Sequence, residues 1–313
     1  MNIQKCAIIG CGFVGATTAF SIIQSGLFSE IVLIDQDKKK AEGEAMDLSH
    51  SLPFLTSMKI YAGDYSDISD CYIVIVTAGA GQKPDETRLD LVKKNTEIFK
   101  SIIPEISQVN KECILLIVTN PVDVLTYVAM KLSGFEKNKV IGSGTVLDTA
   151  RLKYLLGQHL NVDGKSVHAF IIGEHGDSEL AVFSSANVSG IDLSGFCNSV
   201  DGACEINDLN KIYEDVKNSA YEIIENKGAT YYGIAQAVTR ICESIVKNHH
   251  SVLPVSCYLN GEYDIEDIYL GIPALLGKNG IEKLLEIPLN NNESQMLSES
   301  ASTLKNIIKE LDI

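Results

Sequence analysis

The feature that most constrains this chain is a set of short apolar runs without polar alternation. KCAIIG, EIVLID, CYIVIVTAG and CILLIVT each read as a strand, and KIYAG and KVIGSG as shorter ones. Between them lie helical patterns: FVGATTAFSIIQSG, KKAEGEAMDLSHS, residues 88–110 and PVDVLTYVAMKLSG. A strand with one face in water alternates apolar and polar residues, whereas a continuous apolar run is buried on both faces. Such strands, alternating with helices, fold as a parallel sheet covered on both sides. The second half has a different pattern. A helix from about Thr145 to Leu160 leads into the strand VHAFIIGEHG. Shorter strands follow, then a helical region over 206–248 interrupted at Gly228, a hairpin around Asn260–Gly261 and a C-terminal helix after Asn292. The expected class is α/β: a doubly wound parallel sheet over residues 1–142, then a mixed α+β domain over 143–313, with no linker-like segment between them.

Gly10-Cys11-Gly12-Phe13-Val14-Gly15 is a G-x-G-x-x-G that follows the first strand and opens the first helix, and Asp35 ends the second strand 20 residues after Gly15. Each part has a physical reason. Gly10 permits a tight turn, Gly12 lets backbone approach a pyrophosphate, and Gly15 lets helix and strand pack closely. The helix N-terminus supplies oriented N–H groups and a positive dipole for phosphates. Asp35 accepts hydrogen bonds from ribose hydroxyls and repels a 2′-phosphate, which favours NAD over NADP. The bland alternative is a glycine-rich packing turn with Asp35 as a solvated strand end; the full βαβ context makes the sheet Rossmann-type instead.

The 313 residues carry 26 basic and 41 acidic side chains, a net charge of −15. Nucleic acid and anionic membrane would be repelled at long range, so neither is an expected partner. An anionic substrate would have to be drawn in by local arginines. No apolar run reaches the roughly 18 residues of a membrane span. Lys5 followed by CAIIGCGFVGATTAF could pass for a signal-peptide core, but the fixed glycine spacing and Asp35 make it a folded element. None of the eight cysteines forms a C-x-x-C pair. They are expected to be reduced thiols in a cytoplasmic protein, with no disulfide framework and no zinc site.

In the second half, Asp148 and Arg151 share a helix face, an i, i+3 pair that taken alone is most often a surface salt bridge. His175 stands in IIGEHGDSE between Gly173 and Gly176, glycines that let something approach the backbone. A lone histidine is more often structural than catalytic. His168 and His175 are seven apart, on opposite faces if both lie on one strand, and no other His, Cys or carboxylate shows ligand spacing to either. No metal site is therefore expected. Asn120 in NPVD sits at the carboxyl end of a parallel strand, where such sheets place ligands; it reads equally as a helix cap with Pro121 in the first turn. Finally, GQKPDETRLDLV carries charges from a buried strand into the next helix, more chemistry than an ordinary connection needs.

Taken together and in order, GCGFVG with Asp35, AGAGQKPDETRLDLV, VTNPVDVLT, GSGTVLDTARL, IIGEHGDSE and GATYYGIA resemble the NAD-dependent L-lactate/malate dehydrogenase family over essentially the whole chain. Among members the chain is most similar to the bacterial L-lactate dehydrogenases. The resemblance implies hydride transfer between NAD and a 2-oxo acid, with Gly10, Gly12, Phe13, Val14, Gly15, Asp35, Thr77, Ala78, Gly79 and Asn120 at the cofactor. It implies His175 as proton donor, Asp148 as its orienting partner, Arg151 as the two-pronged grip on the substrate carboxylate and Arg88 as the group polarising the carbonyl after loop closure. Asn120 would line the site and Thr230 would pack against the substrate end. Gln82 would face the substrate's third carbon, where malate-specific relatives typically carry an arginine, so its neutral side chain argues for pyruvate. Lys83 beside it is expected to stay in solvent. Relatives often have glycine where this chain has Asp85, a change that would stiffen the loop or alter its closing rate.

The family also implies a homotetramer. Some bacterial members bind fructose 1,6-bisphosphate at a subunit interface through a histidine and an arginine; His168 matches the first, while Lys153 stands in place of the second. These two read equally as a packed strand histidine and a solvated helix lysine. The nearest rival is a malate or branched 2-hydroxyacid dehydrogenase, against which Gln82 and the small residues near Thr230 weigh. An NAD-dependent glycoside hydrolase would need metal ligands and a longer second half. A non-catalytic NAD-binding protein would have no reason to keep His175, Asp148, Arg88 and Arg151 together.

Overall fold

A computed structural model gives the fold and describes residues 1–81, 86–199 and 206–311. Gln82, Lys83, Asp85 and Cys204 lie outside the described residues. The elements run β1 (Asn2–Ile9), α1 (Phe13–Ser25), β2 (Glu30–Ile34), α2 (Lys38–His50), β3 (Lys59–Ala62), β4 (Cys71–Val76), α3 (Arg88–Val109), β5 (Ile114–Ile117), α4 (Val122–Ser133) and β6 (Val140–Gly142). Then follow α5 (Val146–His159), β7 (Val167–Ile172), β8 (Leu180–Val188), β9 (Ile191–Asp192), α6 (Leu193–Ser199), α7 (Ile206–Lys227), α8 (Tyr232–Val246), β10 (Ser251–Asn260), β11 (Glu266–Gly277), β12 (Gly280–Leu284) and α9 (Asn291–Lys309).

The apolar runs form the expected parallel sheet in the order β3-β2-β1-β4-β5-β6. Every residue of β4 and β5 is buried, as strands covered on both faces must be. The order reverses between β1 and β4, which opens a crevice at their carboxyl ends. The sheet does not stop at β6. Strands β10, β11 and β12 add to it antiparallel, with Ser256 of β10 opposite Gly142 of β6, so nine strands form one sheet. Gly142 is what lets the hairpin dock: a Cβ there would stand 2.5 Å from Thr126 Oγ1 and 2.6 Å from Ser256 Cβ. Covering the β6 edge also removes a row of unpaired backbone groups.

A second, three-stranded sheet, β7-β8-β9, has its own apolar core of Leu152, Leu156, Val167, Ile171, Ile212 and Val216, drawn from α5, β7 and α7. The two halves are also joined through α1 and α8, where the buried hydroxyls of Ser21 and Thr239 lie 2.6 Å apart. Six cysteines among the described residues are free and buried. Cys197 corrects the expectation that no disulfide forms: it is disulfide-bonded. Burial among apolar side chains, which Cys197 shares with the other six, does not by itself keep a thiol single. No helix among the described residues is long and apolar enough to cross a membrane.

Candidate active site

The crevice at the sheet reversal is built by the glycine turn. Gly10 adopts φ +101°, and a Cβ there would stand 2.6 Å from the Ala78 nitrogen. The Ile9 carbonyl accepts from the N–H groups of both Thr77 and Ala78 at 2.9 Å, and Thr77 Oγ1 donates to the Gly10 carbonyl at 2.8 Å. A Cβ on Gly15 would sit 1.8 Å from that same carbonyl, so α1 can lie this close to β1 only with glycine there. Beside Gly12 there is open space, and no side chain caps the N-terminus of α1. Asp35 accepts from the Cys11 N–H at 2.7 Å and the Asp37 N–H at 2.9 Å, and each carboxylate oxygen keeps capacity for a second donor. An uncapped helix end, free space at Gly12 and a carboxylate at the end of β2 fit the pyrophosphate and ribose of a dinucleotide. Phe13 is exposed on the rim and stacks on Tyr231, ring centroids 5.5 Å apart.

Gly79 touches Thr119 and Asn95: a Cβ there would be 2.2 Å from Thr119 Cγ2. Asn95, fully buried on α3, donates to the carbonyls of Ala80 (3.2 Å) and Asn120 (2.8 Å) and accepts from the Ala80 N–H (2.8 Å). It ties together the ends of β4 and β5. The sequence did carry a signal for it, an asparagine on the apolar stripe of α3 beside Leu91, Val92 and Phe99. Asn120 is exposed and lines the cleft, but it is not the cap of α4; that position belongs to Pro121, which has no side chain able to accept.

A cleft of about 370 Å³ opens next to this crevice, lined by Arg88, Asn120, Asp148, Arg151 and His175 together with Glu179 and residues of α7. His175 lies beyond the last residue of β7, so the face-parity expectation does not reach it; His168 is exposed on β7. The His175 ring is held by Asp148, Nδ1 to Oδ2 at 2.6 Å, and its backbone N–H donates to Asp123 Oδ2 at 2.7 Å. Asp148 Oδ1 accepts from Arg151 Nη1 at 2.7 Å, so the helix-face pair is not a surface bridge: Asp148 is 2% exposed. Asp123 is equally buried and accepts from Ser256 Oγ at 2.5 Å.

These placements set the proton affinities. Burial alone would lower that of His175, but the charge and hydrogen bond of Asp148, with Asp123 and Glu179 behind it, bring its pKa up to about 9. Burial opposes ionisation of Asp148, yet His175 and Arg151 hold it below the usual carboxylate range. Asp123 is pushed up to about 6 by burial, against the hydrogen bonds from Ser256 and the His175 backbone.

Arg88 opens α3, whose first turn carries a capping box of Thr87 and Asp90. Its guanidinium reaches across the cleft mouth to Glu174 and, at 3.4 Å, to Asp177. Gly176 makes this crossing possible, since a Cβ there would meet Arg88 Nη2 at 2.6 Å. Thr230, between α7 and α8, is half-buried and is not among the residues lining the cleft. Lys153, half-buried on α5, has its proton affinity lowered by burial. The spacing argument against metal ligands needs one correction: Asp148, His175 and Glu179 bring ligand atoms within 4.8 Å of one another. Both oxygens of Asp148 already accept, Oδ1 from Arg151 and Oδ2 from His175.

Comparison with known proteins bears on all of this. Residues 4–142 match the model of the lactate/malate dehydrogenase NAD binding domain, and residues 145–312 that of the alpha/beta C-terminal domain of the same family. The chain is 58% identical over 311 residues to the L-lactate dehydrogenase of Acetivibrio thermocellus, covering 99% of this chain and 98% of that one. It is 52% identical over 301 residues to L-lactate dehydrogenase 1 of Clostridium acetobutylicum, covering 96% of each. Among solved structures, a lactate dehydrogenase from a Medee basin deep-sea metagenome library superposes with a TM-score of 0.96 at 46% identity, covering 99% of both chains. The minor L-lactate dehydrogenase of Enterococcus mundtii gives the same TM-score at 42% identity and the same coverage. This chain belongs to the lactate/malate dehydrogenase family.

Proposed function

We propose that the protein is an NAD-dependent L-lactate dehydrogenase that interconverts pyruvate and L-lactate. The observation that carries this reading is His175 gripped by Asp148 while the same carboxylate anchors Arg151, all within one cleft beside the glycine turn. Residues 1–142 serve as the cofactor unit and residues 143–313 as the substrate unit.

When bound, the nicotinamide supplies or takes up the hydride. The rest falls to side chains. Because Nδ1 of His175 is held by Asp148, Nε2 is the atom that gives its proton to the ketone oxygen of pyruvate and takes it back from lactate. Asp148 fixes the ring and stabilises the imidazolium. Arg151 grips the substrate carboxylate with the face of its guanidinium that Asp148 leaves free. Arg88 leaves its carboxylate partners to meet the charge that builds on the carbonyl oxygen, as the loop before it excludes water. Gly10, Gly12, Phe13, Val14, Gly15, Asp35, Thr77, Ala78, Gly79 and Asn120 hold the cofactor. Gln82 faces the pyruvate methyl group, and Thr230 packs against the substrate end. A cytoplasmic homotetramer, with fructose 1,6-bisphosphate held through His168 and Lys153, completes the reading by family resemblance.

The test is NADH consumption with pyruvate and oxaloacetate in parallel, each with and without the sugar bisphosphate. Strong preference for pyruvate is expected. Preference for oxaloacetate would overturn the role of Gln82, and turnover of neither would overturn the reaction.

A further inference from the structure

Glu179 was not singled out by the sequence, and the reaction as described makes no use of it. It is 4% exposed, it lines the cleft, and its Oε1 has no hydrogen-bond partner among the described residues. A buried carboxylate oxygen without a donor is costly, so the group needs a reason to be there. Its ligand oxygen lies within 4.8 Å of the facing atoms of both Asp148 and His175.

We propose that Glu179 is a second proton-holding group of this site, a positioning residue that keeps the His175 imidazolium charged on the alkaline side of neutrality. This rests on the dehydrogenase reading above for its purpose, though not for its chemistry. Charges face the pair from every side. Asp148 and Arg151 come from α5, Asp123 from α4, Arg88 from α3 and Lys217 from α7, where the Tyr213 hydroxyl also donates to the Glu179 carbonyl. Glu174 and Asp177 belong to the same turn, and both are paired with Arg88. Burial and the charge of Asp148 push Glu179 up to about 8, against His175, Arg151 and Lys217. Burial and Asp148 thus favour the neutral carboxyl, which places no negative charge against the substrate carboxylate at Arg151. As pH rises, ionisation of this carboxyl adds a negative charge beside the imidazolium. The new charge then strengthens the hold on the imidazolium proton, so the donor persists further into alkali than Asp148 alone would sustain.

The experiment is an NMR titration of the full-length protein with ring-labelled histidine, the His175 signal assigned by its loss in His175→Asn. In the native protein this signal should show two inflections, the first from Glu179 and the second from its own deprotonation. In Glu179→Gln the first should vanish and the second move about 1 pH unit or more toward acid. The alkaline limb of kcat/KM for pyruvate should move with it. A single inflection in the native protein would overturn the proposal even if the variant does not fold, and so would an unmoved His175 midpoint in a folded variant. The titration needs no turnover, so inactivity toward pyruvate would sink the dehydrogenase reading alone.

Discussion

Replacing Asp148 with asparagine keeps the shape of the site and removes one charge. In the native site His175 is raised from its ordinary 6.5 to about 9, an interval worth about 3 kcal/mol. Burial of the imidazole, which opposes its charge, remains in the variant, and so do the smaller contributions of Asp123 and Glu179 that favour it, so the midpoint should fall to near its ordinary value. At about pH 7.5 the native histidine is almost wholly protonated; in the variant about a tenth would be. The expected result is a loss of at least about tenfold in kcat/KM for pyruvate at that pH, with recovery as the assay is taken down to about pH 6. Asparagine has one acceptor oxygen where the carboxylate gave one each to Arg151 and His175, so part of the loss should appear as a raised KM that acid does not restore. Initial rates of NADH oxidation across the pH range separate the two effects. A loss of the same factor at every pH would refute the reasoning, because Asp148 would then act on position and not on proton affinity.

Other consequences follow from the same geometry. The folded-state pKa of His175 lies above its unfolded value, so the stabilisation from the pair is fully present below about pH 6.5 and lost as pH rises toward 9; the gap in thermal midpoint between native protein and His175→Asn should close over that window. Asp35→Ser removes the carboxylate that would repel a 2′-phosphate, and the NADH to NADPH ratio of kcat/KM should fall at least about tenfold. Gln82→Arg should turn preference from pyruvate to oxaloacetate by several kcal/mol, read from kcat/KM on both substrates. Ser256→Ala leaves Asp123 Oδ1 buried without its donor and should cost about 1–3 kcal/mol in denaturant unfolding.

Much of this was legible in the chain itself. The parallel sheet followed from runs such as CYIVIV, because full burial on both faces leaves no place for a polar residue. The glycine turn was legible because Gly10 and Gly15 answer steric demands, and the close approach of Gly15 to the Gly10 carbonyl is the demand made visible. The placement of β10–β12 on the β6 edge was not legible: antiparallel hairpins carry the same alternation wherever they dock, and only the small side of Gly142 hints at the partner. Asp123 and Glu179 were missed for a related reason. A carboxylate in the first turn of a helix, or in a charged turn, looks solvated until the tertiary fold buries it. Asp148 was seen as an i, i+3 partner of Arg151, but nothing local tells a surface pair from one that is 2% exposed.

The burial of these carboxylates is itself explained by where they sit. Asp123 lies in the first turn of α4 and Asp148 in the first turn of α5. A helix N-terminus presents unpaired N–H groups and the positive end of its dipole, which favours a negative side chain there by about 0.3–1 kcal/mol, more where water is excluded. Two helix starts thus point two carboxylates at one histidine. Asp123 takes the backbone N–H of His175 and Asp148 takes the ring, so the residue is fixed at both ends. One helix precedes Gly142 and the other follows it, and Ser256, on the hairpin that docks at Gly142, holds Asp123 in turn. The proton-bearing group therefore depends on the junction between the two halves of the chain. A substitution that loosens the β6–β10 edge, far from any substrate, should reach the chemistry by releasing Asp123 and with it the backbone of His175. Gly142→Ala is the direct trial: its Cβ would press on both Thr126 and Ser256, and kcat should fall together with thermal stability. If stability falls while kcat holds, the edge is only scaffolding and the histidine is fixed by Asp148 alone.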